Sequence, residues 1–184
     1  MNNILVIGDS WASAIESDIG VDGVGWPAIM GIDPQYRLAV AGSTAVQWAS
    51  DYSAWLTRAK ACMTDTVVIS LLGNDAIQAL ADGVLSGEEV ADGLAAMHSV
   101  VQAIQRKRTI VMLYADPFSG ADARARIGVP MLNAAIQLVC SPLGVIFADT
   151  SKWLNSDHFL PPNIHPTRAG HEIIASHMLT LCTP

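Results

Sequence analysis

Five short apolar runs, set apart by stretches with helical spacing, constrain the fold of this chain more than any other feature. They are Asn3–Ile7, Tyr36–Val40, Thr66–Leu72, Thr109–Tyr114 and Gly144–Ala148. Each is rich in Val, Ile or Leu, and most show little alternation, which suits strands covered on both faces of a parallel sheet. Between them, apolar residues recur at helical spacing. Ala45, Trp48, Ala49 and Tyr52 mark one helix, and Val90, Leu94, Met97, Val101 and Ile104 the clearest. Met131, Leu132, Ala135, Ile136 and Val139 mark another, and Ile173, Ile174, His177 and Met178 lie in the last. Alternating strand and helix predicts right-handed βαβ units and an α/β/α sandwich of three layers. Loops rich in Gly and Pro are expected at Gly20–Pro34, Pro117–Ala121 and Ser156–Pro166. The chain has 184 residues, which suits a single domain over 1–184.

Composition narrows the class. Hydrophobic residues make up 51% and charged residues 15%, so the chain reads as globular and well buried. A net charge of -7, with no basic cluster beyond Arg106, Lys107 and Arg108, argues against nucleic acid or an anionic membrane surface as partner. That short basic run fits a helix C-terminus, where cations complement the dipole. Cys62, Cys140 and Cys182 are widely spaced and odd in number, which predicts reduced thiols rather than a disulfide framework or zinc site. The histidines lack paired ligand spacing, so no metal or other cofactor is expected. No apolar run is long enough to span a bilayer, and Gly8-Asp9-Ser10 interrupts the first run too early for a signal peptide. The expectation is a soluble protein, cytoplasmic by default.

A parallel sheet gathers the segments that follow its strands at one edge, where open α/β sheets place reactive groups. Those segments read Gly8-Asp9-Ser10, Ala41-Gly42-Ser43 and Gly73-Asn74-Asp75, and the later strands run into Asp116 and Asp149. Taken alone, Ser10 reads better as a helix cap, and it is His165 and Asn74 that reverse this. Near the C-terminus, Asn163-Ile164-His165-Pro166-Thr167 leads into the final helix, in a loop stiffened by Pro161, Pro162 and Pro166. Ser10 and His165 together suggest nucleophilic catalysis, because a serine hydroxyl needs a base and imidazole titrates near neutrality.

Four pieces in this order resemble the SGNH hydrolase (GDSL esterase/lipase) superfamily over essentially the whole chain. "GDSW" is similar to its first block, "AGST" to its second, "LLGND" to its third and "IHPTRAGH" to its last. The resemblance implies a flavodoxin-like sheet of five parallel strands and hydrolysis of esters or related acyl compounds. It further implies Ser10 as nucleophile and His165 as base. An oxyanion hole would then be made by the Ser10 and Gly42 backbone N–H groups and the Asn74 side chain. Absence of a G-x-S-x-G elbow separates the chain from the α/β-hydrolases.

The chain departs from that pattern twice. Where the family places an aspartate three residues before the histidine, this sequence has Pro162. Asn163, Asp157 and a backbone carbonyl are the alternatives for orienting His165; Asp157 is the expected third member, and the carbonyl would give a Ser–His dyad. The glycine expected two places before Asn74 is Leu72, with Gly73 beside it to supply the turn. The expected activity is a serine esterase forming an acyl-enzyme on Ser10. Few insertions beyond the minimal fold suit short acyl groups, such as acetyl on a glycan. A thioesterase or lysophospholipase, and a catalytically weak carbohydrate-binding module on the same fold, are the alternatives.

Overall fold

The structure, a computed structural model, describes residues 3–13, 25–50, 53–81, 87–116, 123–159 and 164–183. Pro162 and Asn163 therefore lie outside the described residues, as do Tyr52 and the expected loop Pro117–Ala121. Four strands pair in parallel: β1 (Ile4–Gly8), β2 (Thr66–Ser70), β3 (Arg108–Leu113) and β4 (Ile146–Asp149), in the order β1-β2-β3-β4. Every residue of β1 and β2 is buried, which is why these runs show no polar alternation.

The expected strand Tyr36–Val40 forms only in part. Pro34 starts a short 3-10 helix over Pro34–Tyr36, capped by Asp33, and this turn consumes Tyr36. Beyond it, Arg37 bridges Val6 in parallel, and the N–H groups of Leu38 and Val40 donate to Val6 O and Gly8 O, each at 2.8 Å. The segment thus occupies the fifth place, beside β1 on the side away from β2. With it the order is that of the flavodoxin-like sheet.

The helices are α1 (Trp26–Ile29), α2 (Ala45–Ala49), α3 (Ser53–Ala61), α4 (Gly73–Ala81), α5 (Gly87–Ala103), α6 (Ala123–Cys140) and α7 (Arg168–Cys182). They sort into two layers: α1 packs with α7, while α5 packs with α2, α4 and α6. One core of buried residues runs from Ile4 to Cys182 and includes Trp11, Trp26 and Trp48. These three tryptophans are core residues. No helix among the described residues is long and apolar enough to cross a membrane.

Local sequence sets the ends that matter for the site. Thr44 and Gln47 form a capping box at the start of α2, each side chain accepting from the other's backbone N–H. Thr167 caps α7 by accepting from Gly170 N. Gly8 ends β1 at φ 140°, where a Cβ would lie 2.0 Å from Ser70 O, so no side chain fits there.

Candidate active site

The chain leaves β1 at Gly8 and turns at once, with the Ala12 and Ser13 N–H groups bonded to Asp9 O. This turn places Ser10 at the carboxyl edge of a central strand. Asp9 lies buried beneath it. Its Oδ1 accepts from Trp11 N and Ser70 Oγ, each at 3.0 Å, and its Oδ2 accepts from Tyr114 Oη at 2.7 Å. Burial pushes the Asp9 carboxyl up to about 6, against these donors, which pull it down.

The second and third segments hold each other. Gly42 takes φ 75°, a left-handed turn that glycine enters without a Cβ penalty, and the space above it is open. Ser43 Oγ accepts from Trp48 Nε1 at 2.9 Å and donates to Gly8 O at 3.3 Å, tying this turn to the end of β1. Asn74 Nδ2 donates to Ser43 O at 2.9 Å, which engages one of its two amide hydrogens. Asp75, also buried, accepts from Ala45 N and Val46 N, capping α2 from outside that helix. Burial raises the Asp75 carboxyl above its ordinary range.

His165 comes from the far end of the chain. Just before α7 the backbone is pinned by the Phe159–Pro166 bridge and by Thr167 N donating to His158 O at 2.7 Å. Buried Phe159 packs its ring against Trp11 with centroids 6.0 Å apart, so the histidine loop docks on the residue after Ser10. The result is a contact of 2.7 Å between His165 Nε2 and Ser10 Oγ across 155 positions. Trp26 adds a second tie, donating from Nε1 to Trp11 O at 2.8 Å and from its backbone N–H to His171 Nδ1 at 3.4 Å.

Asp157 is not brought to His165. Asn155 Oδ1 accepts from Asp157 N, and His158 Nδ1 accepts from Asn155 N, closing a short 3-10 turn that leaves Asp157 exposed. No hydrogen bond joins its carboxylate to His165 among the described residues. His158 serves that turn, and His177 stacks on Trp153 with centroids 4.6 Å apart. A cavity of about 230 Å³ lies at the ends of β3 and β4, lined by Leu113, Asp116, Asn133 and Asp149 among others, away from Ser10. Among the described residues no three His, Cys, Asp or Glu side chains gather to hold a metal.

The model of the GDSL-like lipase/acylhydrolase family matches residues 6–173. The chain belongs to that family. As a GDSL-like acylhydrolase of SGNH type, it is a carboxylic ester hydrolase. Solved structures similar to this GDSL-like hydrolase share its fold at low identity. LAE5, an alpha/beta hydrolase enzyme from the metagenome of Lake Arreo, Spain, superposes with a TM-score of 0.74 at 17% identity, over 97% of this chain and 93% of LAE5. A catalytic mutant of Axe2, an acetylxylan esterase from Geobacillus stearothermophilus, gives 0.69 at 18% identity, over 97% and 92%. A further Axe2 mutant, described as an acetyl-xylooligosaccharide esterase, gives 0.68 at 19%, over 98% and 94%. No curated protein sequence matches the chain.

Two contributors to this GDSL-like hydrolase's rim escape sequence reading. Tyr114 reads as the last residue of an apolar strand, and Asn133 as a polar position in a helix. Tyr114 bonds Asp9, and Asn133 brackets the Tyr114 backbone, donating to its carbonyl and accepting from its N–H, both at 2.8 Å.

Proposed function

We propose that this ester hydrolase forms an acyl-enzyme on Ser10, with His165 as general base. The Ser10 and Gly42 backbone N–H groups and Asn74 Nδ2 are the oxyanion donors. The contact between Ser10 Oγ and His165 Nε2 carries the reading, because it puts a base within proton-transfer distance of a hydroxyl at the strand edge. For Nε2 to accept that proton, Nδ1 must carry the other one. Attack on an ester carbonyl then moves the serine proton to His165 and leaves negative charge on the former carbonyl oxygen. Collapse expels the alcohol, which takes the proton from His165. Water repeats the sequence and releases the acid. Asp157 stands outside this machinery, since its carboxylate is exposed and unbonded to His165.

The favoured substrates are short acyl esters, acetyl on a glycan foremost. Support comes from the likeness to Axe2, an acetylxylan esterase, and from buried Phe159 packing on Trp11, the residue next to Ser10. One core from β1 to α7 supports treating residues 1–184 as one SGNH-hydrolase-like domain.

A fluorophosphonate should label the protein once, on the peptide that holds Ser10, and Ser10→Ala should abolish both labelling and turnover. Labelling that survives the substitution would sink the assignment. Across p-nitrophenyl esters, kcat/KM should peak at acetyl or propionyl; a rise to octanoyl would refute the short-acyl reading.

A further inference from the structure

We infer that Tyr114 is a positioning residue, whose hydroxyl sets the distance between the Ser10 turn and the Asn74 turn. This rests on the proposed roles of those two residues. The Tyr114 hydroxyl donates to Asp9 Oδ2 at 2.7 Å and accepts from Gly73 N at 3.1 Å. One oxygen therefore joins the residue before Ser10 to the residue before Asn74. Gly73 opens α4, so its N–H has no partner within that helix, and Tyr114 supplies one from another strand.

The contact is built rather than incidental. Tyr114 is buried, and its ring meets Trp11 edge-on with centroids 5.3 Å apart. Asn133 of α6 fixes its backbone on both sides. Gly73 approaches the ring so closely that a Cβ there would lie 3.1 Å from two ring carbons.

The turn it holds also needs holding. Leu72, directly before Gly73, sits at φ 98°, where leucine is strained. Such a conformation persists only where its surroundings over-determine it. On one side Leu72 is buried against Gly93; on the other the next N–H is fastened to Tyr114. Releasing that N–H lets the turn relax and carries Asn74 away from the oxyanion. A misplacement approaching 1 Å costs about 10²-fold in rate.

Tyr114→Phe removes the hydroxyl and keeps the ring. Its kcat on p-nitrophenyl acetate should fall about ten- to a hundred-fold with KM within two-fold, because the loss is confined to the transition state. Fluorophosphonate should still modify Ser10. In combination with Asn74→Ala, which itself costs about 10² to 10³-fold, the two losses should fall well short of multiplying. A purely structural role would lower Tm without that non-additivity. An unchanged kcat, a loss confined to KM, or fully multiplicative losses would overturn the inference while leaving Ser10 labelling intact. Labelling of Ser10→Ala would instead overturn the reading beneath it. Should Tyr114→Phe fail to fold, Asn133→Ala frees the Tyr114 backbone and should give the same kcat-only loss; unchanged turnover there overturns the inference equally.

Discussion

Leu72 stands where the family resemblance calls for glycine, and it keeps the left-handed backbone with φ 98°. The sequence suggested that Gly73 would supply the turn. Instead Gly73 opens α4, and Leu72 takes the unfavourable angle itself. Burial offsets the strain: Leu72 is 1% exposed, and Gly93 opposite leaves room for its side chain. Asp157 is the other residue for which spacing was a poor guide. Eight positions from His165 is close enough to fold back, but the Asn155 cap turns the segment outward. Asp157→Asn should therefore change kcat by no more than a few-fold, measured with p-nitrophenyl acetate at neutral pH. A fall near 10⁴, the scale on which losing a triad carboxylate acts, would return Asp157 to the machinery. Ser10, Gly42, Asn74 and His165 could be proposed from sequence because each lies in a short motif at a predictable strand or helix end.

Elements, too, were legible where periodicity is strong and less so where a neighbour decides. Four of the five runs pair as strands, while Tyr36–Val40 becomes an edge segment because Pro34 and Asp33 make a helical turn of its first residue. The basic run at 106–108 fits helix C-termini in a more specific way than its charge suggested. Arg106 donates to Ile104 O beyond α5 and to Ala59 O and Cys62 O at the end of α3, while Arg108 donates to Leu181 O in α7. Lys107 pairs with exposed Asp65 at 3.0 Å. One guanidinium thus adds charge-assisted hydrogen bonds at the ends of two helices, where Ala59 O and Cys62 O also accept from Cys62 N and Thr64 N. Arg106→Ala should lower unfolding free energy by about 2 kcal/mol, from charge-assisted hydrogen bonds lost at several carbonyls. Urea titration measures this, and a loss under about 0.5 kcal/mol, the usual range for surface positions, would show the clamp to be idle.

On the scale of the whole molecule, Asp9 and His171, among the titratable groups that folding buries, respond to pH in opposite directions. Asp9 rises from 3.8 to about 6 through burial, so its stabilising contribution is complete below pH 3.8 and is lost as pH climbs through 6. His171 falls from 6.5 to about 4 through burial and, secondarily, the nearness of His165, so its contribution is complete above 6.5 and is lost as pH drops toward 4. Each displacement is worth on the order of 3 kcal/mol. Between pH 4 and 6 the two nearly cancel. Asp9→Asn should make Tm fall more steeply on acidification than in the parent, and His171→Gln should make Tm rise on acidification. Thermal melts at pH 4, 5, 6 and 7 check both; three parallel profiles would refute the opposition.

The sequence by itself determined the strand–helix alternation, the order of the four motifs and the strand edge on which they meet. Those features are local: period, turn chemistry and chain order act over a few residues, and a parallel sheet collects its strand ends on one side. Only the tertiary structure decided which side chains meet across the fold. Tyr114 reaches Asp9 over 105 positions, and Trp26 reaches His171 over 145. It also decided that Asp157 faces solvent and that Leu72 accepts a glycine's backbone. Such outcomes depend on the distance between packed elements and on which buried polar groups find partners there, and no repeat in a linear chain encodes either quantity.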